Sequence, residues 1–433
     1  MIQNYGPLTP KAYRPRLIEA QMDRLLKAFG CVVISGPKWC GKTWTALTRA
    51  QSVTKLDIPA EREAALVDPT LALIGDPPHL VDEWQEVPEI WDASRRFVDE
   101  TGNEKGLLLL TGSAALKKEE RSKIRHSGTG RMGHVTMRPM SLAEMGISNG
   151  TVSLQDLFDG KEFEPVRRDT TIESVISWCY RGGWPANLEL PDDLAAETVL
   201  HYVSTALSDN IMDEGRSAQT AQAVMRVLAL NVSRAITNKT FLEDASNASG
   251  ASMSEPTLLA YLDMLKRFFI IEEISGWEPP MRSKARVRVK PKRYFVDPSL
   301  AAALLNATPD RLLVDMQALG ELFENLVMRD LQVYLSAIGG TGNALHYYRD
   351  EAQLEVDFIL EHAGKWGAVE VKLSDSKAEA AAKNLIRLRD KMGANNAAQN
   401  PTPAFLAVIV GRGSLAYKRD DGIYVIPIAT LTA

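Results

Sequence analysis

"CVVISGPKWCGKTWTAL", residues 31 to 47, decides the fold. Cys31 to Ser35 is a short β-rich run, and Gly36-Pro37-Lys38-Trp39-Cys40-Gly41-Lys42-Thr43 has the form G-x-x-x-x-G-K-T. The residues after it carry a helical pattern, so strand, glycine loop and helix come in the order a phosphate loop requires. Glycines let such a loop wrap until its backbone N–H groups point at phosphate oxygens. Lys42 then reaches the β and γ phosphates of ATP, and Thr43 holds Mg2+. The expected nucleotide-binding stretch runs from Gly36 through Trp44; Trp39 and Cys40 occupy variable positions of the motif and receive no chemistry of their own.

A phosphate loop needs a carboxylate on a neighbouring strand, and "HLVDEWQEV" supplies it downstream. Asp82 at the strand end fits the magnesium carboxylate, and Glu83 fits the base that polarises the attacking water. The preceding strand is only His79-Leu80-Val81, so the assignment leans on the next apolar segment, "GLLLLTGSAAL". This run of leucines ends in Thr111-Gly112-Ser113, the form of a buried parallel strand whose polar tip faces the nucleotide. A hydroxyl there can sense the γ-phosphate. Thr111 and Ser113 are both open to that role, and either can instead cap the next helix. Asp57 in "VTKLDIP" closes another strand and reads as structural.

The chain has 433 residues, more than one hydrophobic core supports, which implies several domains. A hydrophobic content of 45% with 24% charged residues is that of a globular protein. No apolar run approaches the roughly 20 residues of a membrane helix, and "MIQNYGPLTPKAYRPRL" lacks the apolar stretch of a secretory signal, so a cytoplasmic protein with no membrane partner is expected. Three cysteines, Cys31, Cys40 and Cys179, lack disulfide or zinc spacing and read as free core thiols. A net charge of −5 argues against a uniformly basic nucleic-acid binder while leaving room for a local basic patch.

The phosphate loop, "VDEWQ", "LLLLTGS" and "GTGRMGHVTMRPMSLAEM" together resemble a bacterial and archaeal AAA+ ATPase family. Its members join an N-terminal ATPase domain to a C-terminal domain of the DUF4143 class. The family's Gly-Arg pair and its "PLS-x-x-E" turn map onto Gly130, Arg131, Pro139, Ser141 and Glu144. The resemblance implies that Arg131 is an arginine finger, reaching the ATP of a neighbouring subunit; Arg121 and Arg125 are rivals. Met137, Arg138 and Met140 depart from the family's more aliphatic pattern. In similar proteins "WCYRGGWPANLEL", with Gly182-Gly183-x-Pro185, opens a small helical lid, with Arg181 as a sensor of bound nucleotide. A finger acting in trans implies a ring-shaped homo-oligomer, a hexamer.

Further on, "QTAQAVMRVLALNVSR", "TFLEDASNASG" and "SEPTLLAYLDMLKRFFIIEEISG", followed by "KRYFVD", spell a winged helix. Its third helix offers Ser254, Glu255, Lys266 and Arg267 outward, a poor set for reading bases. Its wing, "MRSKARVRVKPKR", holds seven basic residues and no acid. Arg282, Lys284, Arg286, Arg288 and Lys290 are the candidate phosphate-backbone contacts, with Lys292 and Arg293 closing the run. A solvated hairpin used for protein contacts is the alternative.

"EVDFILEHAGKWGAVEVKLS", residues 355 to 374, reads as two strands around a Gly-Lys turn, with charge where the apolar pattern is otherwise kept. Twelve residues separate Asp357 from Glu370-Val371-Lys372, the spacing of the PD-(D/E)xK nuclease fold, in which such a hairpin gathers Asp and Glu around magnesium. Lys372 then orients or activates water, and Glu324, one turn from Glu321 on the preceding amphipathic helix, is the auxiliary carboxylate. A working nuclease and an inert binding platform that keeps an ion pair both fit this pattern.

The expectation is thus an α/β multidomain chain. A phosphate-loop AAA+ core (1–165) leads into a helical lid (166–217), a winged helix (218–305) and a PD-(D/E)xK nuclease-like domain (306–433). It is expected to hydrolyse ATP with Mg2+ and to remodel or move along DNA, with metal-dependent cleavage an added possibility. The alternative is an ATP-gated switch acting on a protein partner through the winged helix.

Overall fold

The computed structural model describes residues 6–113, 124–206, 211–212, 215–250, 252–277, 290–340, 344–394 and 400–433. The chain forms two compact units, Met1–Pro139 with Leu265–Phe269, and Met140–Met264 with Ile270–Ala433.

The first unit is built on a parallel sheet of β1 (Cys31–Ser35), β2 (Ser52–Lys55), β3 (His79–Asp82), β4 (Leu108–Gly112) and β5 (Met132–Thr136), in the order β2-β3-β4-β1-β5. Successive β1 residues enter different cores. Cys31 and Val33 pack with Val81, Leu108 and Leu110 on one face, whereas Val32 and Ile34 pack with Leu80, Leu109 and Val135 on the other. Burial on both faces is why β1 and β4 read as unbroken apolar runs. Register sets Ser35 beside Gly112 and Asp82 beside Thr111, so the carboxyl ends of β1, β3 and β4 share one edge. Open α/β sheets bind their ligands at that edge.

In the second unit, β6 (Val152–Ser153) and β7 (Val166–Thr170) precede a helix at Ile172–Arg181 and another at Asp192–His201. Three helices, Ala218–Leu230, Asn238–Ser249 and Glu255–Arg267, lead to β8 (Ile271–Ile274) and β9 (Lys292–Phe295), which pair antiparallel. A long helix, Met316–Ala337, then precedes β10 (Leu345–Arg349), β11 (Glu355–His362) and β12 (Lys365–Ser374). The helix Ala378–Gly393 crosses over to β13 (Phe405–Lys418), and β14 (Tyr424–Pro427) and β15 (Leu431–Thr432) end the chain. The main sheet runs β10-β11-β12-β13-β14; its first two pairings are antiparallel, the last two parallel, and β7 joins β13 antiparallel. Val356, Ile359, Ala368, Val408 and Val410 meet Leu385 and Leu388 of the crossover helix in one core.

Two expected boundaries change. The first compact unit ends at Pro139, not at residue 165, because the chain beyond Pro139 is tied to the C-terminal sheet: Val152 pairs with Leu431, and Asn149 N–H donates to the Ala429 carbonyl at 2.9 Å. Residues 166–217 likewise do not stand apart as a lid. β7 belongs to the C-terminal sheet, and the Ile172–Arg181 helix buries Val175, Ile176, Trp178 and Cys179 while packing on the helices Pro298–Leu304 and Met316–Ala337. The Gly182-Gly183 pair exists for close approach: a Cβ on Gly183 would lie 2.1 Å from the Met140 carbonyl and 2.8 Å from Arg329 Nη1. All three cysteines are free and buried. Among the described residues no helix is long and apolar enough to cross a membrane.

Candidate functional site

β1 delivers its chain end into the glycine loop. A Cβ on Gly36 would stand 2.1 Å from the Met137 carbonyl, so only glycine passes there. Lys42 opens the helix Lys42–Leu47 and is buried, its Nζ donating to the Pro37 carbonyl at 2.8 Å across the loop. The Thr43 hydroxyl donates to Asp82 Oδ1 at 2.8 Å, and the Thr111 hydroxyl donates to the same oxygen from behind. Burial pushes the Asp82 carboxyl above its ordinary value, against the two hydroxyl donors, while the charge of Glu83 raises it further. Glu83, in a left-handed backbone conformation with φ 56°, accepts from the Ser113 hydroxyl at 3.1 Å and from the Gln85 side-chain amide.

The two tip hydroxyls therefore divide: Thr111 backs Asp82 and Ser113 holds Glu83. A hydroxyl and a carboxylate in hydrogen-bond contact, with an ammonium beside them in the loop, are the hard oxygen donors and counter-charge that a magnesium-bound triphosphate takes. Thr43 and Asp82 would hold the ion, and Lys42 the phosphates.

Arg131 lies at the opposite edge of the sheet. Its carbonyl accepts from Cys31 N–H at the start of β1, and its Nε donates to Asp99 Oδ1 at 2.7 Å. It is thus well separated from the phosphate loop of its own chain, with its side chain 42% exposed. Arg125 is exposed, and Arg121 lies outside the described residues. The expected sensor, Arg181, is committed elsewhere: Nη2 donates to the carbonyls of Asn187, Leu188 and Leu190 at 2.8, 3.0 and 3.0 Å, and Nη1 pairs with Asp192 at 3.2 Å. It closes the turn after its own helix.

A second charged cluster forms in the other unit. Pairing of β11 with β12 sets Asp357 Oδ2 to accept from Val371 N–H at 2.8 Å. Lys372 Nζ lies 2.6 Å from Glu370 Oε2 and 3.4 Å from Asp357 Oδ2, and Asn384 of the crossover helix donates to Glu370 Oε1 at 3.3 Å. Glu324 comes from the Met316–Ala337 helix as expected, but its partners come from β9: Tyr294 donates to Glu324 Oε1 at 2.6 Å, and Lys292 Nζ lies 3.4 Å from that oxygen and 2.8 Å from Glu355 Oε1. Burial, then the charge of Asp357, pushes Glu370 up to about 8 and Glu324 up to about 7, against the pull of Lys372 and Lys292. Burial works to lower the Lys372 ammonium, and the charges of Asp357 and Glu370 more than reverse it.

The structure thus brings Glu324, Asp357, Glu370 and Lys372 into one neighbourhood. Among the described residues no three His, Cys, Asp or Glu side chains are grouped to hold a metal ion. Two lysine ammonium groups, Lys372 and Lys292, lie among the four carboxylates Glu324, Glu355, Asp357 and Glu370. Lys292, Tyr294, Glu355 and Asn384 escaped the sequence argument; only Glu355, two residues before Asp357 on one strand face, carried a legible signal.

The basic wing changes as well. Lys292 and Arg293 are buried and paired, Arg293 Nε with Glu273 Oε1 at 3.0 Å, so they face no phosphate backbone. Lys290 is exposed; Arg282, Lys284, Arg286 and Arg288 lie outside the described residues.

A parallel sheet of this order with a glycine loop, a buried lysine, and a threonine and aspartate in contact defines a phosphate-loop nucleotide-binding domain. Residues 28–146 match the family model of an AAA domain, residues 172–311 that of a domain of unknown function, DUF8612, and residues 319–431 that of DUF4143. The chain therefore joins an AAA-type ATPase domain to a C-terminal DUF4143 domain. An uncharacterized protein of Mycobacterium tuberculosis and another of Mycobacterium bovis are each 24% identical over 363 residues, 82% of this chain and 72% of theirs. Among solved structures, a Walker-type ATPase of Pyrococcus abyssi aligns over 69% of this chain and 97% of its own, at 15% identity and a TM-score of 0.45.

Proposed function

We propose that the protein is a Mg2+-dependent ATPase whose turnover acts on DNA. The observation that carries the ATPase reading is the convergence on Asp82 Oδ1 of the Thr43 and Thr111 hydroxyls, beside a Glu83 carboxylate held by Ser113. In this assignment Lys42 and the loop amides bind the triphosphate, and Thr43 and Asp82 hold Mg2+, which neutralises phosphate charge. Glu83 orients the attacking water and takes its proton. Arg131 serves the site of a neighbouring subunit in a ring, a hexamer, because it is remote from its own phosphate loop.

Three helices followed by an antiparallel hairpin support the winged-helix reading, and the basic run ending at Lys290 supports contact with a phosphate backbone. The helix, three-stranded meander and crossover around Asp357 and Glu370 support a PD-(D/E)xK-like domain. A second reading keeps the ATPase but makes it a switch acting on a protein partner, with an inert C-terminal domain whose Asp357 and Glu370 serve only as ion-pair partners of Lys372. Cytoplasmic placement remains part of both.

ATP turnover measured with no DNA and with duplex, single-stranded and four-way-junction DNA separates the two. Stimulation by one DNA form supports the first reading; turnover equal in all four conditions supports the second. Absence of turnover in the wild type, or normal turnover in Lys42→Ala, removes both.

A further inference from the structure

The chain contains eight tryptophans. Six of them, Trp84, Trp91, Trp178, Trp184, Trp277 and Trp366, are 9% exposed or less. Trp39 and Trp44 are each 47% exposed, and these two lie in the phosphate loop and in the first turn of the helix after it. Indole is the largest apolar surface a side chain offers, and a fold that buries its other tryptophans keeps these two about half exposed, in sequence on either side of Lys42 and Thr43.

The backbone adds a second, independent sign. Trp39 sits at φ 71°, the left-handed region where glycine or asparagine is ordinary and a bulky residue is strained. Strain of this kind persists where the surrounding structure over-determines the backbone, and it clusters at active sites and ligand clamps. Neither indole is explained by contact with phosphate, which the loop amides, Lys42 and Thr43 suffice to bind. A nucleoside triphosphate also carries a flat, π-rich base, and flat bases stack on aromatic rings.

We propose that Trp44 is the base platform of the nucleotide site, with Trp39 a second exposed ring of the same loop: the purine of the bound triphosphate stacks on the Trp44 indole while its phosphates lie in the loop. This rests on the phosphate-loop reading and adds to it the recognition of the base. Stacking makes the platform tolerant of base identity, because every nucleobase has a π-face, so ATP and GTP bind alike and inorganic tripolyphosphate binds less tightly. Removing a stacking ring lowers affinity roughly 5-fold to 150-fold.

The test compares Mg2+-ATP, Mg2+-GTP and Mg2+-tripolyphosphate binding to the full chain by calorimetry, in the wild type and in Trp44→Ala, Trp44→Phe and Trp39→Gly. Glycine accepts the left-handed backbone at position 39, so that variant loses the ring without added strain. The expected result is a loss of ATP affinity of roughly 10-fold or more in Trp44→Ala, tripolyphosphate affinity unchanged, and Trp44→Phe close to wild type. Tryptophan fluorescence should fall on adding ATP and stay constant with tripolyphosphate. The proposal is overturned if Trp44→Ala and Trp39→Gly bind ATP as the wild type does, or if ATP and tripolyphosphate weaken equally. It is also overturned if the variants change self-association alone, which would make the indoles a contact between copies. Wild type that binds tripolyphosphate but gains nothing from the base defeats the platform and spares the phosphate loop; wild type that binds neither defeats both.

Discussion

Replacing Lys372 with methionine removes the ammonium that lies 2.6 Å from Glu370 and 3.4 Å from Asp357. The cost depends on pH through Glu370. Its carboxyl has an ordinary value of 4.5 and is pushed by burial to about 8 in the folded chain. Between those values the folded state holds a proton that the unfolded state has released, so this group's contribution is fully present below 4.5 and is lost as pH rises through about 8. At pH 6 the Glu370 that Lys372 faces is a neutral acid, and losing that contact costs about one ordinary hydrogen bond, ~0.5–1.5 kcal/mol, beside the pH-independent loss of the Asp357 contact. At pH 9 the wild type has released that proton, whereas the variant, lacking the ammonium that pulls the value down, keeps it; one pH unit above about 8 adds up to ~1.4 kcal/mol to the penalty. Asp357 keeps the Val371 N–H at 2.8 Å in both cases and contributes little to the difference. Hydrogen-exchange mass spectrometry of peptides covering β11 and β12, corrected for intrinsic exchange, reads the loss of protection at each pH. A penalty that grows by ~1 kcal/mol from pH 6 to pH 9 supports the account; an equal penalty at both pH values refutes the protonation argument.

The same geometry sets three other outcomes. Arg131→Ala should lower ATP turnover at least ~1,000-fold while leaving nucleotide affinity within about 2-fold, and Asp99→Ala, which only frees the arginine, should leave turnover intact; phosphate release and calorimetry measure the two. Gly183→Ala forces a methyl into the space held by the Met140 carbonyl and Arg329, and should destabilise the second unit by ~1–3 kcal/mol or more, seen as faster proteolysis of that unit. Lys292→Met should loosen the β8–β9 hairpin, because Glu324 and Glu355 lose the cation on which both close; exchange of β9 amides should rise while the first unit is unchanged.

How much was legible varies with how local the signal is. Gly36 to Thr43 is contiguous, and one strand–loop–helix unit fixes its geometry, so the position of Lys42 and Thr43 followed from spacing alone. Asp82 and Glu83 were also readable, because the next strands end beside them. Thr111 and Ser113 were not separable, since their partners lie about thirty residues away in sequence and depend on parallel register. The C-terminal hairpin announced Asp357, Glu370 and Lys372 by period-2 placement. Lys292 was misplaced among the basic residues of the wing because a charge run says nothing of burial; at 2% exposure it belongs to the carboxylate cluster. The glycine pair at 182–183 resembled the start of a lid, whereas the need for it lies in Met140, Asp297 and Arg329, contacts that no local pattern encodes. The boundary at residue 139 was missed for a similar reason: β6 is two residues long, and its partner is the last strand of the chain.

Phosphate release from Mg2+-ATP by the wild type and by Glu83→Gln, measured beside nucleotide binding to each, tests the central claim most directly. The account predicts that both bind ATP with similar affinity and that only the wild type releases phosphate at an appreciable rate. Equal release by the two proteins, or a wild type that binds ATP without hydrolysing it either alone or with any form of DNA, contradicts it.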